Sequence, residues 1–425
     1  MDAELAQLRE GLAARVVAAN RISSERVAAA LRAVPRHLFL PGLPPHAAYR
    51  DEAIVTKRDQ AGQPISSSSQ PAIMAIMADQ LDLAPGQRVL EIGAGTGYNA
   101  ALISHVVGAQ GQVTSVDIDP GLVVQAREHL ARAGFEAVTV ACADGAAGYR
   151  ERAPYDRVIA TVGVADLAPA WLAQAAPQAR VVVPLDLRGT QLSAAFERAG
   201  PAGPWVSRSL APCGFKRMRG SLAGPELVIT LAPGLSLLVP DGTRPGAPGV
   251  ADAGALAGLL AGPSVPHPTG VRAGPAGVFW GGLGLWLAVH EPRSCRLNEE
   301  LSPGDQGGLL TAAPLRGARG QGTLGIAERG GLAILTADLW AGAEPGPSAQ
   351  RVNLETAVLG TAGFGPRGAP LAADLAAHVQ AWDQAGRPGL PGLHVDAYPR
   401  SAGPDPAAGA LIIERPGTRF AVYHD

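Results

Sequence analysis

The stretch most suited to chemistry is a glycine-rich segment that follows an acidic residue, Val89-Leu90-Glu91-Ile92-Gly93-Ala94-Gly95-Thr96-Gly97-Tyr98. The apolar residues before the glycines predict a buried strand, and the residues after Tyr98 predict a helix. Glycine in such a strand–helix turn lets backbone N–H groups approach a ligand closely, because no Cβ stands in the way. The segment therefore predicts a ligand-binding turn.

The spacing of the glycines separates two kinds of ligand. The dinucleotide fingerprint requires Gly-x-Gly-x-x-Gly/Ala, whereas here the third glycine comes one position early. The pattern Glu-x-Gly-x-Gly-x-Gly instead resembles the first motif of the class I S-adenosylmethionine methyltransferases. A nucleotide-fold turn for another ligand remains the alternative. The resemblance implies that the cofactor site includes Glu91, Gly93, Gly95, Thr96, Gly97 and Tyr98.

Acidic residues follow the next two predicted strands. Asp117 ends the second strand, where a carboxylate can accept hydrogen bonds from two ribose hydroxyls, and Ile118 comes next. Asp119 is expected to be the N-cap of the helix that begins at Pro120. A third strand ends in Asp144-Gly145, the position from which this fold usually contacts the adenine amino group; a plain turn aspartate is the alternative. The predicted cofactor residues at these strand ends are Asp117, Ile118, Asp144 and Gly145.

A run of four serines precedes another predicted helix, Ala72–Leu81. The free N–H groups of a helix start form an anion site, which would suit a substrate carboxylate. A plain linker is the alternative. A carboxylate, with a pKa of about 3.9, is already ionised at neutral pH and needs no general base to attack a methyl group. The serines are therefore expected to position the acceptor, with Ser66 and Ser69 as first candidates and Ser67 and Ser68 after them.

Several further motifs occur in an order that resembles the protein-L-isoaspartate O-methyltransferases. This resemblance covers roughly residues 10–220 and implies a doubly wound α/β sheet, a class I Rossmann-like methyltransferase domain that uses S-adenosyl-L-methionine to methylate a peptide carboxylate. It also implies that the substrate-side serine lies in the family's Ile-Ser-x-Pro segment. The motifs are Val34–Pro41, Ala48-Tyr-x-Asp51, Ile65-Ser…Gln70-Pro71, Glu91–Tyr98, Asp144-Gly145, Ala153–Asp156 and Val181–Pro184.

The chain departs from that family in two ways. Its serine segment is three residues longer than Ile-Ser-x-Pro, and a second half follows the methyltransferase region. Both traits resemble the methyltransferases of lanthipeptide and graspetide biosynthesis, which modify ribosomally synthesised peptides. That resemblance implies a normal aspartate in a constrained precursor peptide as acceptor, and a succinimide (aspartimide), then isoaspartate, as products. The alternative is general repair of isoaspartate in damaged proteins.

The length of 425 residues suggests two domains. We expect residues 1–220 to form the methyltransferase domain, with an N-terminal helical substrate-side segment over residues 4–33. Residues 221–425 are expected to form a mixed α+β accessory domain for substrate recognition. The elements predicted there are strands at Glu226–Leu231, Ser236–Val239, Val278–Val289, Leu332–Thr336, Gly409–Glu414 and Phe420–Tyr423, and a helix at Leu371–Trp382.

Composition narrows the function classes. A net charge of −2 gives no support for binding nucleic acid. The three cysteines and the dispersed histidines lack the spacing of a disulfide framework or a metal site, so no metal is predicted. No apolar run reaches transmembrane length and the N-terminus is acidic, which predicts a cytoplasmic protein without a membrane partner. The lone His37 is expected to be structural. Neither the peptide substrate nor the oligomeric state follows from the sequence.

Overall fold

The computed structural model describes residues 2–20, 22–60, 62, 64–201, 203–279, 282–300, 315–317, 320–338, 357–400 and 410–424. The chain divides into two compact units. The first unit contains Met1–Asp186, Gln191–Gly224 and His394–Tyr423, and the second contains Leu187–Thr190, Pro225–Leu393 and His424–Asp425. None of the helices in the described ranges combines the length and the apolar character needed to cross a lipid bilayer.

The first unit begins with helices and a hairpin. The helical segment predicted over residues 4–33 is confirmed, but it is divided into two helices. Ser24 caps the second helix by accepting a hydrogen bond from Val27 N. Apolar side chains of these helices join the core of the first unit. The elements are α1 (Asp2–Asn20), α2 (Glu25–Ala33), α3 (Pro45–Ala48), β1 (Ile54–Arg58), β2 (Pro64–Ser68) and α4 (Pro71–Leu81), with a short 3-10 helix at Arg36–Phe39.

A doubly wound sheet follows, as the fold class predicted. Its elements are β3 (Arg88–Ile92), α5 (Tyr98–Val107), β4 (Gln112–Asp117), α6 (Pro120–Arg132), β5 (Thr139–Cys142), β6 (Tyr155–Ala160), α7 (Pro169–Gln174), β7 (Ala175–Leu187), β8 (Thr190–Arg198) and β9 (Trp205–Pro212). Strand β3 pairs in parallel with both β4 and β6, β4 with β5, and β6 with β7. The strand order therefore reverses at β3. In open α/β sheets the ligand crevice lies at the carboxyl ends of the strands, at such a switch point.

The second unit is built on an antiparallel sheet. Its strands, in spatial order, are β10-β11-β13-β15-β16-β17-β12, with β14 paired to β15. Their bounds, with those of the helices, are β10 (Leu227–Ala232), β11 (Leu235–Val239), α8 (Ala253–Leu260), β12 (Ser264–Arg272), α9 (Pro275–Phe279), α10 (Leu283–His290), β13 (Ser294–Glu300), β14 (Leu315–Gly317), β15 (Gly320–Glu328), β16 (Gly331–Asp338), β17 (Val358–Phe364) and α11 (Gly368–Gln384).

Most elements predicted for the second half are confirmed, but one is wrong. The predicted helix at Leu371–Trp382 lies within α11, and its aligned apolar residues are buried in the core of the second unit. By contrast, Val278–Val289 was predicted as a strand, whereas this segment contributes to α9 and forms α10. A short, continuously apolar run has no period that distinguishes a strand from a buried helix.

The end of the chain returns to the first unit. Strands β18 (Leu393–Pro399), β19 (Leu411–Glu414) and β20 (Thr418–His424) extend the first sheet beyond β9, in the order β19-β20-β18-β9. The predicted strands near the C-terminus match β19 and β20, although residue 409 lies outside the described residues. The predicted division into 1–220 and 221–425 differs from this arrangement, because pairing between strands far apart in sequence leaves no local signal.

Candidate functional site

The glycine turn between β3 and α5 requires glycine at all three positions. Gly93, Gly95 and Gly97 have φ angles of +98°, +52° and +85°, which side chains with a Cβ rarely adopt. A Cβ on Gly93 would lie 2.7 Å from Thr161 Oγ1, and one on Gly97 would lie 3.2 Å from Ala126 O. Thr161 Oγ1 in turn donates a 2.6 Å hydrogen bond to Gly93 O, which fixes the turn against the end of β6.

Glu91 lies beneath this turn and is fully buried. Asn99 Nδ2 donates to one carboxylate oxygen at 2.7 Å, and Ser115 Oγ donates to the other. Burial raises the pKa of Glu91 to about 7. Glu91 therefore ties β3 to α5 and β4 in this structure, whereas the sequence pattern predicted a residue at the cofactor itself.

Two other residues of the motif also pack inward. Tyr98 is 2% exposed and its ring centroid lies 5.5 Å from that of Phe39. Thr96 is buried, its carbonyl lies 3.0 Å from His129 Nδ1, and its Oγ1 accepts a 3.4 Å hydrogen bond from Tyr98 N. Their side chains stabilise the start of α5, so the surface that the motif offers to a ligand is the glycine backbone.

Asp117 lies at the carboxyl end of β4 and faces the same turn. Its Oδ2 accepts a 3.1 Å hydrogen bond from Gly95 N, and its Oδ1 accepts one of 3.0 Å from Asp119 N. Each carboxylate oxygen keeps a second lone pair, so the group can still accept hydrogen bonds from a diol. The side chain of Ile118, the next residue, is 37% exposed. Asp119 caps α6 by accepting from Leu122 N, as predicted.

The Asp144 carboxylate binds backbone N–H groups of the chain, as in the alternative of a plain turn aspartate. Its Oδ1 accepts a hydrogen bond from Ala146 N and its Oδ2 accepts one from Ser221 N, both at 3.0 Å. A Cβ on Gly145 would lie 2.5 Å from the Ile92 side chain, so only glycine fits there. The Asp144 carboxylate thus anchors the backbone at Ser221, and its contact with an adenine stays a prediction.

The first three of the four serines lie in strand β2, so the run is not a plain linker. Ser66, Ser67 and Ser68 lie opposite Lys57, Val55 and Ile54 of β1, with register shifts that accommodate extra residues. Ser66 and Ser68 are buried, whereas Ser67 and Ser69 are partly exposed.

Strand β2 also lies against the glycine turn. A Cβ on Gly95 would lie 4.0 Å from Ser66 Oγ and 3.8 Å from Ser67 O. The structure therefore brings the predicted acceptor segment and the predicted cofactor turn into one place.

The start of helix α4 differs from the prediction. Asp51 Oδ1 accepts a 2.9 Å hydrogen bond from Ala72 N, and Asp51 Oδ2 accepts one of 3.0 Å from Gln70 Nε2. The chain's own carboxylate therefore occupies the position that we expected a substrate carboxylate to take. The pattern Ala48-Tyr-x-Asp51 carried this signal, because a short acidic side chain is a good partner for unpaired helix N–H groups.

Sequence reasoning missed the role of Arg36. Its guanidinium is fully buried and donates to the carbonyl oxygens of Ala48, Arg50, Glu52 and Ser69 at 2.7–3.1 Å. Burial lowers its pKa from the ordinary arginine value. Arg36 thus holds the end of the serine run against the segment before β1.

The neighbouring His37 has a structural role, as expected. Its Nδ1 lies 2.8 Å from the Tyr49 hydroxyl oxygen, and burial lowers its pKa.

Comparison with known proteins decides the family. The family model "Protein-L-isoaspartate(D-aspartate) O-methyltransferase (PCMT)" matches residues 9–213. A protein-L-isoaspartate O-methyltransferase from Hyperthermus butylicus is 36% identical over 228 residues, which cover 52% of this chain and 92% of that protein. The chain belongs to the protein-L-isoaspartate O-methyltransferase family. It is an S-adenosylmethionine-dependent protein carboxyl O-methyltransferase.

Other members of the protein-L-isoaspartate O-methyltransferase family are also similar to this chain. The Methanopyrus kandleri enzyme is 39% identical over 191 residues, 45% of this chain and 82% of that one. The Thermotoga maritima enzyme is 40% identical over 174 residues, 41% of this chain, and this chain spans only 54% of its length. A solved protein-L-isoaspartate O-methyltransferase aligns over 91% of this chain and 96% of its own, with 22% identity and a TM-score of 0.49.

Proposed function

We propose that this enzyme methylates the free carboxylate of isoaspartyl residues in protein or peptide substrates. The observation that carries the proposal is the position of Ser66, whose hydroxyl lies beside Gly95 of the glycine turn. An acceptor held by this hydroxyl would stand next to a ligand held by the turn. The names of the related enzymes support isoaspartate as the substrate.

The residues around the turn fit the cofactor. S-adenosylmethionine supplies an electrophilic methyl group on a sulfonium centre. We assign its amino-acid and ribose parts to the backbone of Gly93 and Gly95 and to the Asp117 carboxylate, which keeps lone pairs for hydroxyl groups. The exposed Ile118 side chain offers an apolar face for a flat base. Asp144 and Gly145 follow β5 at the same edge of the sheet.

For methyl transfer, the enzyme needs mainly to position the acceptor carboxylate. A carboxylate is ionised at neutral pH and is its own nucleophile. The chain must therefore orient one carboxylate oxygen and exclude water, which lowers the barrier through proximity. Ser66 Oγ lies 3.2 Å from Thr56 Oγ1. This pair retains one hydroxyl proton that can be donated to a carboxylate, and the Ser66 side chain itself is buried.

Among the four serines, we propose that Ser66 takes this role. Ser69 is partly exposed, and its carbonyl is held by Arg36. Ser67 contributes its carbonyl to the space beside Gly95. Ser68 Oγ is buried and has no hydrogen-bond partner among the described residues, so it is the second candidate.

The test compares two peptides that differ in one residue. An isoaspartyl peptide and its aspartyl twin are incubated with the enzyme and methyl-labelled S-adenosylmethionine, and base-released methanol is counted. The proposal predicts that the isoaspartyl peptide is methylated and that its aspartyl twin is not. Equal rates on both peptides, or transfer to the aspartyl peptide alone, would contradict it. Calorimetry with S-adenosylhomocysteine, on wild-type protein and Asp117→Asn, checks the cofactor site separately.

A second candidate acceptor is a normal aspartate in a constrained ribosomally synthesised peptide, as in lanthipeptide or graspetide biosynthesis. The observation that favours it is the longer serine strand with its register shifts, together with the second unit. Ordinary aspartates occur in nearly all proteins, so selectivity for one of them would need contacts distant from the reacting carboxylate. We propose that the second unit provides these contacts. The methyl ester would then lose methanol as the next backbone nitrogen closes a succinimide.

This second candidate has its own test. Methyl transfer by the full-length enzyme to cyclised and linear forms of a precursor peptide is compared with transfer to the isoaspartyl peptide. Preference for the cyclised precursor would favour the second candidate. Equal rates on the cyclised and linear forms would refute it.

A further inference from the structure

The hairpin that carries Ser66 is a two-stranded sheet on its own. Within the described residues, β1 and β2 pair only with each other and belong to neither of the two large sheets. An isolated two-stranded hairpin is marginally stable in water. Arg36 holds the chain directly after β2 through the Ser69 carbonyl, so the position of Ser66 over the turn needs a second fixed point.

Lys57 of β1 provides such a point. Its Nζ lies 2.7 Å from each carboxylate oxygen of Asp119, the N-cap of α6. The Asp119 side chain is only 12% exposed and that of Lys57 is 37% exposed, so this pair is less screened than an ordinary surface ion pair. The hydrogen bond from Lys57 lowers the pKa of Asp119. The Asp119 carboxylate is therefore ionised at neutral pH.

A continuous series of contacts links the Lys57–Asp119 ion pair to the glycine turn and back to the hairpin. Lys57 lies opposite Ser66 in the hairpin register. Asp119 N donates to Asp117 Oδ1, and Asp117 Oδ2 accepts from Gly95 N. The Ser66 hydroxyl lies beside Gly95 again. One ion pair thus joins the acceptor strand to the carboxylate that we assign to the ribose.

We infer that Lys57 is a positioning residue for methyl transfer, which fixes the serine strand over the cofactor turn through its ion pair with Asp119. The inference rests on the proposed function for the role of Ser66. Lys57 itself acts through Asp119 and contacts no reacting atom. Its loss should loosen β1 and β2 and misplace the acceptor, while the backbone cradle of the turn stays intact.

The chain offers matched variants for a test. Lys57→Met removes the charge and keeps much of the side-chain length, and Lys57→Arg keeps the charge. Asp119→Asn removes the ion pair but preserves a good N-cap. Arg58→Met is the control, because Arg58 is the next cation on the same strand but is exposed and donates to Gly62 O.

Two readouts are needed, and the first requires no activity. Amide hydrogen exchange of residues 54–58 and 65–68 in the cofactor-free enzyme should accelerate about tenfold in Lys57→Met, and Arg58→Met should match wild type. In the second readout, kcat/KM for an isoaspartyl peptide should fall about tenfold in Lys57→Met and be restored to within about twofold in Lys57→Arg. Affinity for S-adenosylhomocysteine should change less than threefold.

A double-mutant cycle completes the test. Lys57→Met combined with Asp119→Asn should be no worse than Lys57→Met alone, because both remove the same interaction. Wild-type exchange rates in Lys57→Met, or an equal effect in Arg58→Met, would overturn the inference. If the wild-type enzyme methylates no isoaspartyl peptide, the proposed function fails, but the exchange comparison still decides whether Lys57 fixes the hairpin.

Discussion

At the scale of residues, each aspartate around this site binds a different part of the backbone. Asp117 holds the glycine turn, Asp119 caps α6, Asp144 holds Ser221 N, and Asp51 caps α4. The sequence allowed the turn, the strand ends and the Asp119 cap to be predicted, because glycine spacing and capping are local signals. It did not allow the Asp51 contact to be predicted, because its partner Ala72 lies 21 residues away.

Glu91 gives a prediction about pH. Its pKa is raised from 4.5 to about 7 by burial, so its protonated form stabilises the fold below about pH 4.5 and this contribution is lost as the pH rises through about 7. Relative to Glu91→Gln, the wild type should lose about 3 kcal/mol of unfolding free energy between pH 4.5 and pH 8. Urea unfolding at several pH values measures this. Parallel pH profiles of the two proteins would show that Glu91 does not titrate in this range.

At the scale of elements, the central strands and their turns were predictable and the hairpin was not. Apolar strands that end in glycine or aspartate mark the doubly wound half. A run of four serines carries no period, so its place in β2 depends on Arg36 and on pairing with β1. The helix at Leu283–His290 was mistaken for a strand for the related reason that its residues are apolar on all sides.

Arg36 should matter most for holding these segments. Arg36→Met would leave four carbonyl oxygens without their donor, of Ala48, Arg50, Glu52 and Ser69. Unsatisfied buried groups are costly, so we expect a loss of about 3–5 kcal/mol in unfolding free energy. Urea unfolding measures it. The control is Arg26→Met, which removes one hydrogen bond to Leu83 O and should cost less than about 1.5 kcal/mol. Similar losses in both variants would contradict the assigned role.

At the scale of the whole molecule, the last three strands of the chain belong to the sheet of the first unit. Strand β18 pairs with β9, where Ala397 lies opposite Trp205. The turn between β19 and β20 packs against Asp166, whose buried carboxylate accepts a 2.6 Å hydrogen bond from Gly417 N. This long-range pairing explains why a composition change near residue 220 is a poor guide to the boundary between the units.

Truncation should therefore damage the methyltransferase unit itself. A protein ending at Gly220 would lack β18, β19 and β20, expose one edge of β9 and leave Asp166 buried without Gly417 N. We expect it to aggregate, or to unfold at clearly lower urea concentration than the full chain. Size-exclusion chromatography and urea unfolding of both proteins measure this. A monomeric, cooperatively folded truncation with unchanged stability would contradict the assignment of the last strands to the first unit.

The central claim is that the Ser66 hydroxyl positions the acceptor carboxylate beside the cofactor turn. Single-turnover methyl transfer to an isoaspartyl peptide, measured for wild type, Ser66→Ala and Ser69→Ala, tests it most directly, with S-adenosylhomocysteine affinity measured in parallel. We predict that Ser66→Ala lowers the rate by about 10- to 100-fold, the effect of losing one well-placed hydrogen bond of about 1.5–3 kcal/mol. Cofactor affinity should hardly change, and Ser69→Ala should stay close to wild type. A wild-type rate in Ser66→Ala would contradict the account.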